Sequence, residues 1–230
     1  MQVIILPVNL YLFNFKYEIT NLAKADKIFS ISREEQWLLK LYGIDNDFLP
    51  YYPPKEILNF LLDVRKARKI SEKKRFLIIG TANNNPTIQG MIEQIQWLTS
   101  IKKEANFEID IAGYGTEKLK EYCCDSTINI IGSVDSKELH NLLVNAKAVL
   151  VHQKMGTGAL TRIPETIIAG IPVIANSSAC RSAFNYSGVY CYEDKSELLN
   201  LICKKLDIPE ILLPPIEAEN RFLNYILSLM

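Results

Sequence analysis

Short apolar runs alternate with stretches of helical period along most of this chain. Six runs have the length of strands: Phe76–Ile79, Phe107–Ala112, Ile128–Ile131, Ala148–Val151, Pro172–Ala175 and Val189–Tyr192. Most are apolar almost continuously, as strands covered on both faces are. The gaps between them carry helical patterns. Ile88, Met91, Ile92, Ile95 and Leu98 recur at helical spacing, and so do Leu139, Leu142, Leu143 and Ala146 behind Asp135 as cap and Glu138 as capping partner. Leu198, Leu199, Ile202 and Leu206 repeat the pattern behind Asp194 and Glu197. Strand and helix alternating in this way predict the α/β class, a doubly wound parallel sheet of six strands with right-handed crossovers. Ligands of such sheets bind beyond the carboxyl ends of the strands.

The amino-terminal part reads differently. Ser32-Arg33-Glu34-Glu35 is a capping box. It opens a helix expected to turn Trp37, Leu38, Leu41 and Tyr42 inward and to stop at Gly43. Asp47 to Pro54 (DFLPYYPP) cannot continue a helix and reads as a linker. Val3 to Phe15 is strongly apolar, but no Lys or Arg precedes it, Pro7 and Asn9 interrupt it, and it falls short of the roughly 20 residues that span a bilayer. A buried strand is the expectation, or a segment that packs on material the chain does not contain.

Composition narrows the class of function. The 230 residues hold 26 basic and 26 acidic side chains, a formal charge of zero, which argues against a general nucleic-acid coat or a membrane-surface protein. At 48% hydrophobic and 23% charged, the chain is not intrinsically disordered. Five cysteines, Cys123 and Cys124 adjacent and none in a CxxC pair, make neither a disulfide framework nor a zinc site. A reducing, cytoplasmic compartment is expected. Residues 65–75 hold seven basic side chains and one acidic, read as a solvated helix end and linker. Peripheral contact with an anionic inner membrane is a secondary expectation.

The loops leaving the strands hold the candidate chemistry. The first, from Gly80 and Thr81 through Asn84 to Thr87, has a glycine for close approach and a helix start for phosphate, but no side-chain cation. The second, Gly113-Tyr114-Gly115, lacks the third glycine of a dinucleotide fingerprint, Lys118 standing there. The third, Gly132-Ser133-Val134, offers backbone groups to a base. After Val151 come His152, Lys154, Gly156, Thr157, Gly158, Ala159, Leu160, Arg162 and Glu165. There a Gly-x-Gly turn feeds a helix start flanked by two cations, which suits a diphosphate. A carboxylate one turn into the helix, Glu165, can accept both hydroxyls of a ribose, or it can simply favour the helix dipole. His152 is a candidate contact to sugar or phosphate, whereas His140 reads as structural.

The run PETIIAGIPVIAN resembles the family-4 type of retaining glycosyltransferases, built as two facing Rossmann domains in the GT-B architecture. ADKIFSISREEQWLLKLYGI resembles the end of that family's acceptor domain, and FLIIGTANNNPTIQGMIEQI the opening of its donor domain. FEIDIAGYG and INIIGSVDSKELHNLLVNAKAVLVHQ resemble the middle of the donor domain. The likeness covers roughly residues 20 to 205. It implies a Rossmann-like nucleotide-sugar domain over 55–230, with 1–54 as a short remnant of the acceptor-side Rossmann domain and a linker.

The resemblance implies that Glu165 is the second glutamate of the family's E-x7-E signature and holds the donor ribose. Gly156 to Leu160 match the loop beside the donor sugar and diphosphate. Gly80 matches the phosphate-facing turn, Gly113 and Gly115 the mid-domain glycines, and Val134 the residue beside the base. Arg162 matches a basic residue three positions before the glutamate, and with Lys154 it would neutralise the leaving diphosphate. No metal or other cofactor is implied; the donor, a nucleotide-diphosphate sugar, is a substrate. Thr157 stands where the family has its first glutamate, and the basic pair of the first loop is absent. The acceptor surface would come from a second polypeptide or a homodimer through the amino-terminal apolar segment. The residues Pro214 to Met230, with Phe222, Leu223, Ile226 and Leu227 in register, match the closing helix. The alternative is a non-catalytic nucleotide-sugar binding module, or a degenerate subunit supporting an active partner.

Overall fold

A computed structural model of the chain describes residues 3–6, 15–68, 75–123, 125–154 and 158–230. These form two compact units. One gathers the described residues of Met1–Tyr52, Gly156–Thr161 and Leu213–Met230, the other those of Pro53–Met155 and Arg162–Leu212.

The first unit holds a parallel sheet of order β1-β2-β3, made of β1 (Val3–Leu6), β2 (Lys27–Ser30) and β3 (Asp47–Phe48). β1 is the strand expected near the amino terminus; residues 7–14 of that apolar run lie outside the described residues. β3 corrects the linker reading of its two residues. The prolines begin only at Pro50, so Asp47 and Phe48 are free to pair with Phe29 and Ser30. An unforeseen helix, α1 (Phe15–Leu22), precedes β2.

α2 (Arg33–Leu41) begins at the expected cap, Ser32 Oγ accepting from the Glu35 N–H at 3.1 Å, but the reciprocal bond to the Glu35 carboxylate that would complete the expected capping box is not formed. It ends at Gly43, whose φ of 73° lets the Ile44 N–H turn back to Leu39 O at 3.0 Å. Its inward face is not the expected one. Glu35 and Leu39 are buried, while Trp37, Leu41 and Tyr42 are 65%, 60% and 53% exposed and Leu38 is half-buried. A buried polar knot sets the rotation. Asn46 Oδ1 accepts from Ser30 Oγ at 2.7 Å, and Asn46 Nδ2 donates to Gln36 O and Ile44 O at 3.2 Å each. With the helix held there, Leu39 joins Leu22, Ile28 and Ile44 in the small core, and the bulkier side chains face away.

The second unit is a doubly wound α/β layer. Its elements are α3 (Lys55–Ala67), β4 (Arg75–Ile79), α4 (Asn85–Ile101), β5 (Glu108–Ala112), β6 (Ile128–Gly132), α5 (Ser136–Asn145), β7 (Val149–Val151), α6 (Arg162–Ile168), β8 (Val173–Asn176), α7 (Ser177–Cys180), β9 (Val189–Tyr192) and α8 (Lys195–Cys203). All pairs are parallel, in the order β6-β5-β4-β7-β8-β9. This is the Rossmann order, the chain winding outward twice from β4. The strands coincide with the six apolar runs to within a residue or two. Met91, Ile95 and Leu98 of α4 pack on Phe76, Ile78, Ile109 and Ile111. Asp135 caps α5 in the expected box, reciprocated by Glu138 Oε2.

Part of the basic run is a clamp rather than a solvated end. Arg65 Nη1 donates to Ile167 O and Ile168 O at 3.0 and 3.2 Å, and Arg68 Nη1 to Leu143 O at 2.6 Å. The last carbonyls of α6 and α5 thereby gain partners. Burial, with the charge of Arg65 beside it, pushes the Arg68 pKa down to about 10. A last helix, α9 (Ile216–Leu227), belongs to the first unit, where Phe222 meets Phe29 edge-on at 5.0 Å.

Candidate nucleotide site

In the second unit the direction of winding reverses between β4 and β7, and the crevice beyond the ends of these strands is where such sheets take ligands. Three glycine exits meet beside it. The Gly80 N–H donates to Ala112 O at 3.2 Å, the Gly113 N–H to Gly132 O at 2.8 Å, and the Ala82 N–H to Tyr114 O at 2.8 Å. The ladder thus runs past the strand ends. Gly113 adopts φ 137°, and a β-carbon on it would lie 2.0 Å from Gly80 O, so backbone meets backbone with no space for a side chain.

Arg162 reaches into this crevice from the start of α6. Its Nη1 donates to Ile79 O at 3.3 Å and its Nη2 to Gln153 Oε1 at 3.5 Å, so the guanidinium bridges the ends of β4 and β7. It lies directly over Gly80, whose missing β-carbon would be 2.7 Å from Nη1. Nε is enclosed and, among the described residues, makes no hydrogen bond. Burial pushes the pKa of this group down to about 10. The two acceptors are neutral and offset none of its charge. A desolvated cation with no counter-charge among the described residues favours an anionic ligand.

Thr81 and Asn84 are exposed on the loop after β4, and Val134 is half-buried after β6. Gly115 is buried, with Asn83 Oδ1 2.7 Å from where its β-carbon would be, and Lys118 Nζ donates to the same oxygen at 3.2 Å. Glu165 is half-buried in the first turn of α6. Lys154 does not join Arg162; its Nζ lies 3.7 Å from Glu93 Oε2 on α4. Gly158, Ala159 and Leu160 belong to the first unit, where a β-carbon on Gly158 would sit 3.6 Å from Glu35 Oε1. Gly156 and Thr157 lie outside the described residues. No group of three or more His, Cys, Asp or Glu gathers among the described residues, and none of their helices is long and apolar enough to cross a membrane.

His152 is part of an internal polar cluster. It is 6% exposed, with Nδ1 2.8 Å from Tyr192 Oη and Nε2 3.6 Å from Glu93 Oε2, and Trp97 edge-on at 5.1 Å. Burial raises the Tyr192 pKa, so its hydroxyl stays protonated beside His152 Nδ1. Burial lowers the His152 pKa below the ordinary 6.5, the pull of Glu93 opposing it only in part. As pH falls below about 6.5 the unfolded chain therefore takes up a proton that the fold resists, and stability falls. Urea denaturation at pH 7 and pH 5 is expected to show a smaller acid loss for His152→Gln than for the parent; equal losses would refute this. Close packing of α4 holds the cluster, since a β-carbon on Gly90 would lie 2.1 Å from His152 O.

Sequence reasoning passed over Glu93, Tyr192, Gln153 and Asn176. Their roles depend on contacts between elements, for which no spacing within the chain gives a signal.

No family model and no curated protein matches the chain. Solved structures do. Sucrose-phosphate synthase from Thermosynechococcus elongatus is 16% identical, with a TM-score of 0.61 over 81% of this chain and 50% of that one. Anabaena Alr3699/HepE, solved in complex with UDP and glucose, is 10% identical with a TM-score of 0.58, over 87% and 60%. WaaG, a glycosyltransferase involved in lipopolysaccharide biosynthesis, is 17% identical with a TM-score of 0.55, over 84% and 59%. The chain spans 50–60% of the length of these three structures. At such identities the likeness establishes the fold: an α/β chain with a six-stranded, all-parallel, Rossmann-like sheet, similar to those of glycosyltransferases.

Proposed function

We propose that this chain is the donor half of a glycosyltransferase of the GT-B type, binding a nucleotide-diphosphate sugar and passing the sugar on with retained anomeric configuration. The observation that carries the reading is the guanidinium of Arg162 lying over Gly80 at the reversal of the sheet. The first loop has no cation of its own, and Arg162 brings one to that turn from a helix 82 residues away, counting from residue 80 to residue 162. Glu165 follows one turn along the same helix and would hold the ribose diol. Lys154, paired with Glu93, would be a secondary cation for the diphosphate. Chemistry in such a site consists of positioning the donor and stabilising the leaving diphosphate, without a metal or other cofactor.

The acceptor surface would come from a second polypeptide or from self-association, in the cytoplasm, at most peripheral to the inner membrane. A second reading, a binding module without turnover, is favoured by Thr157 in place of a sugar-facing glutamate.

A thermal-shift and calorimetric screen of nucleosides, nucleoside diphosphates and nucleotide sugars tests the proposal. Nucleoside diphosphates are expected to stabilise the protein, and Glu165→Ala to weaken them by about tenfold through loss of charge-assisted bonds to the ribose. Tight diphosphate binding without turnover on any acceptor selects the second reading. Binding of adenine dinucleotides that ignores Glu165 overturns both.

A further inference from the structure

Two neutral amides stand between the sheet and the buried guanidinium. Gln153 follows β7 and is buried; its Oε1 accepts from Arg162 Nη2 at 3.5 Å. Its backbone is held in turn by one side chain at the end of β8. Asn176 Oδ1 accepts from the Gln153 N–H at 2.9 Å, and Asn176 Nδ2 donates to Gln153 O at 2.9 Å. These two bonds continue the β7–β8 ladder by one residue with a side chain in place of a strand. Asn176 Oδ1 also accepts from the Ala179 N–H at 3.2 Å, which ties the same side chain to the start of α7.

We propose that Asn176 and Gln153 are positioning residues that aim Arg162 at the ligand's diphosphate. The proposal rests on the diphosphate reading above. The chemistry of each position matches the role. A long, buried cation loses its value to a ligand if its head group is free to turn, or if a carboxylate neutralises it. Gln153 gives it an acceptor without charge, so the aim is fixed and the positive charge stays available. Asn176 presents one acceptor and one donor at the reach the Gln153 backbone requires. Aspartate at that position would keep the acceptor and lose the donor, and would set a charge against Gln153 O.

The test uses the whole chain and two probes, inorganic pyrophosphate and a panel of nucleosides with their 5′-diphosphates, titrated by calorimetry alongside thermal melts. Gln153→Glu is expected to lose about tenfold or more in pyrophosphate and nucleoside-diphosphate affinity while melting no lower than the parent, because the new carboxylate pairs with Arg162. Gln153→Met and Asn176→Asp are expected to lose about tenfold. Nucleoside affinity is expected to be unchanged in all three, a split that general loosening of the fold would not produce. Equal loss for nucleosides and diphosphates, or unchanged diphosphate binding by Gln153→Glu, overturns the relay and leaves the diphosphate site standing. A parent protein that binds neither pyrophosphate nor any nucleoside diphosphate removes the site itself, and the relay with it.

Discussion

Gly113→Ala is expected to destabilise the second unit by about 3 kcal/mol or more, the combined effect of a strained backbone and an overpacked contact. The added β-carbon would stand 2.0 Å from Gly80 O, and the residue would have to keep a φ of 137°. Neither problem can be relieved by a side-chain rotation, because the obstacle is the main chain of the neighbouring exit. The melting transition should fall by roughly 6–12 °C. Gly80→Ala is the control that shows why location matters more than residue type. There the obstacles are Arg162 Nη1 at 2.7 Å and Met91 Cε at 2.8 Å, both tips of flexible side chains. Its stability should change by less than about 1 kcal/mol, while the displaced guanidinium should weaken diphosphate binding. A Gly113→Ala protein as stable as the parent would contradict the close approach of the two loops.

Arg162→Met is expected to act in opposite directions on stability and on binding. Burial pushes the guanidinium's pKa down to about 10, so the enclosed site disfavours the charged form. The group stays charged in both the folded and the unfolded chain, as guanidinium does, so folding bears its desolvation cost. Methionine removes the cost at every pH and fills similar volume, so the ligand-free variant should gain about 1–3 kcal/mol in urea denaturation. Its affinity for nucleoside diphosphates should fall roughly 10- to 100-fold, the loss of charge-assisted bonds to phosphate. Arg162→Lys should fall between, keeping charge without the planar fork. If Arg162→Met is less stable than the parent and still binds diphosphate normally, the residue is a structural tie and the proposed site is wrong.

Much of the second unit was legible because strands covered on both faces have to be apolar at nearly every position. Phe76–Ile79 and Ala148–Val151 could therefore be bounded to within a residue without any contact information. Caps were legible for a related reason: Ser32, Asp135 and Asp194 satisfy amides a few residues away, so their partners lie within the same short segment. The face of α2 was not legible. Trp37 and Tyr42 look like core residues, yet the choice of face is made by Asn46, 14 residues beyond Ser32, through bonds to Ser30 and Gln36. α3 was hidden by its charged end, whose arginines only find their carbonyls on α5 and α6 once the unit is assembled. Of the candidate site, the glycines and Arg162 could be named from their loops. That Arg162 meets Gly80, and Lys154 meets Glu93, depends on which strands end side by side. Gln153 and Asn176 carry no periodicity, charge or glycine signal at all.

The main-chain contact between the exits of β4 and β5 has a practical meaning for anyone seeking to retarget the protein. Randomising Gly113 would mostly yield unfolded variants, because the main-chain ridge it forms with Gly80 has no slack there. Diversity is better introduced at Thr81, Asn83, Tyr114 and Glu117, which are exposed on the loops beside that ridge; a library confined to them should keep most of its members folded while altering the selectivity of the proposed site.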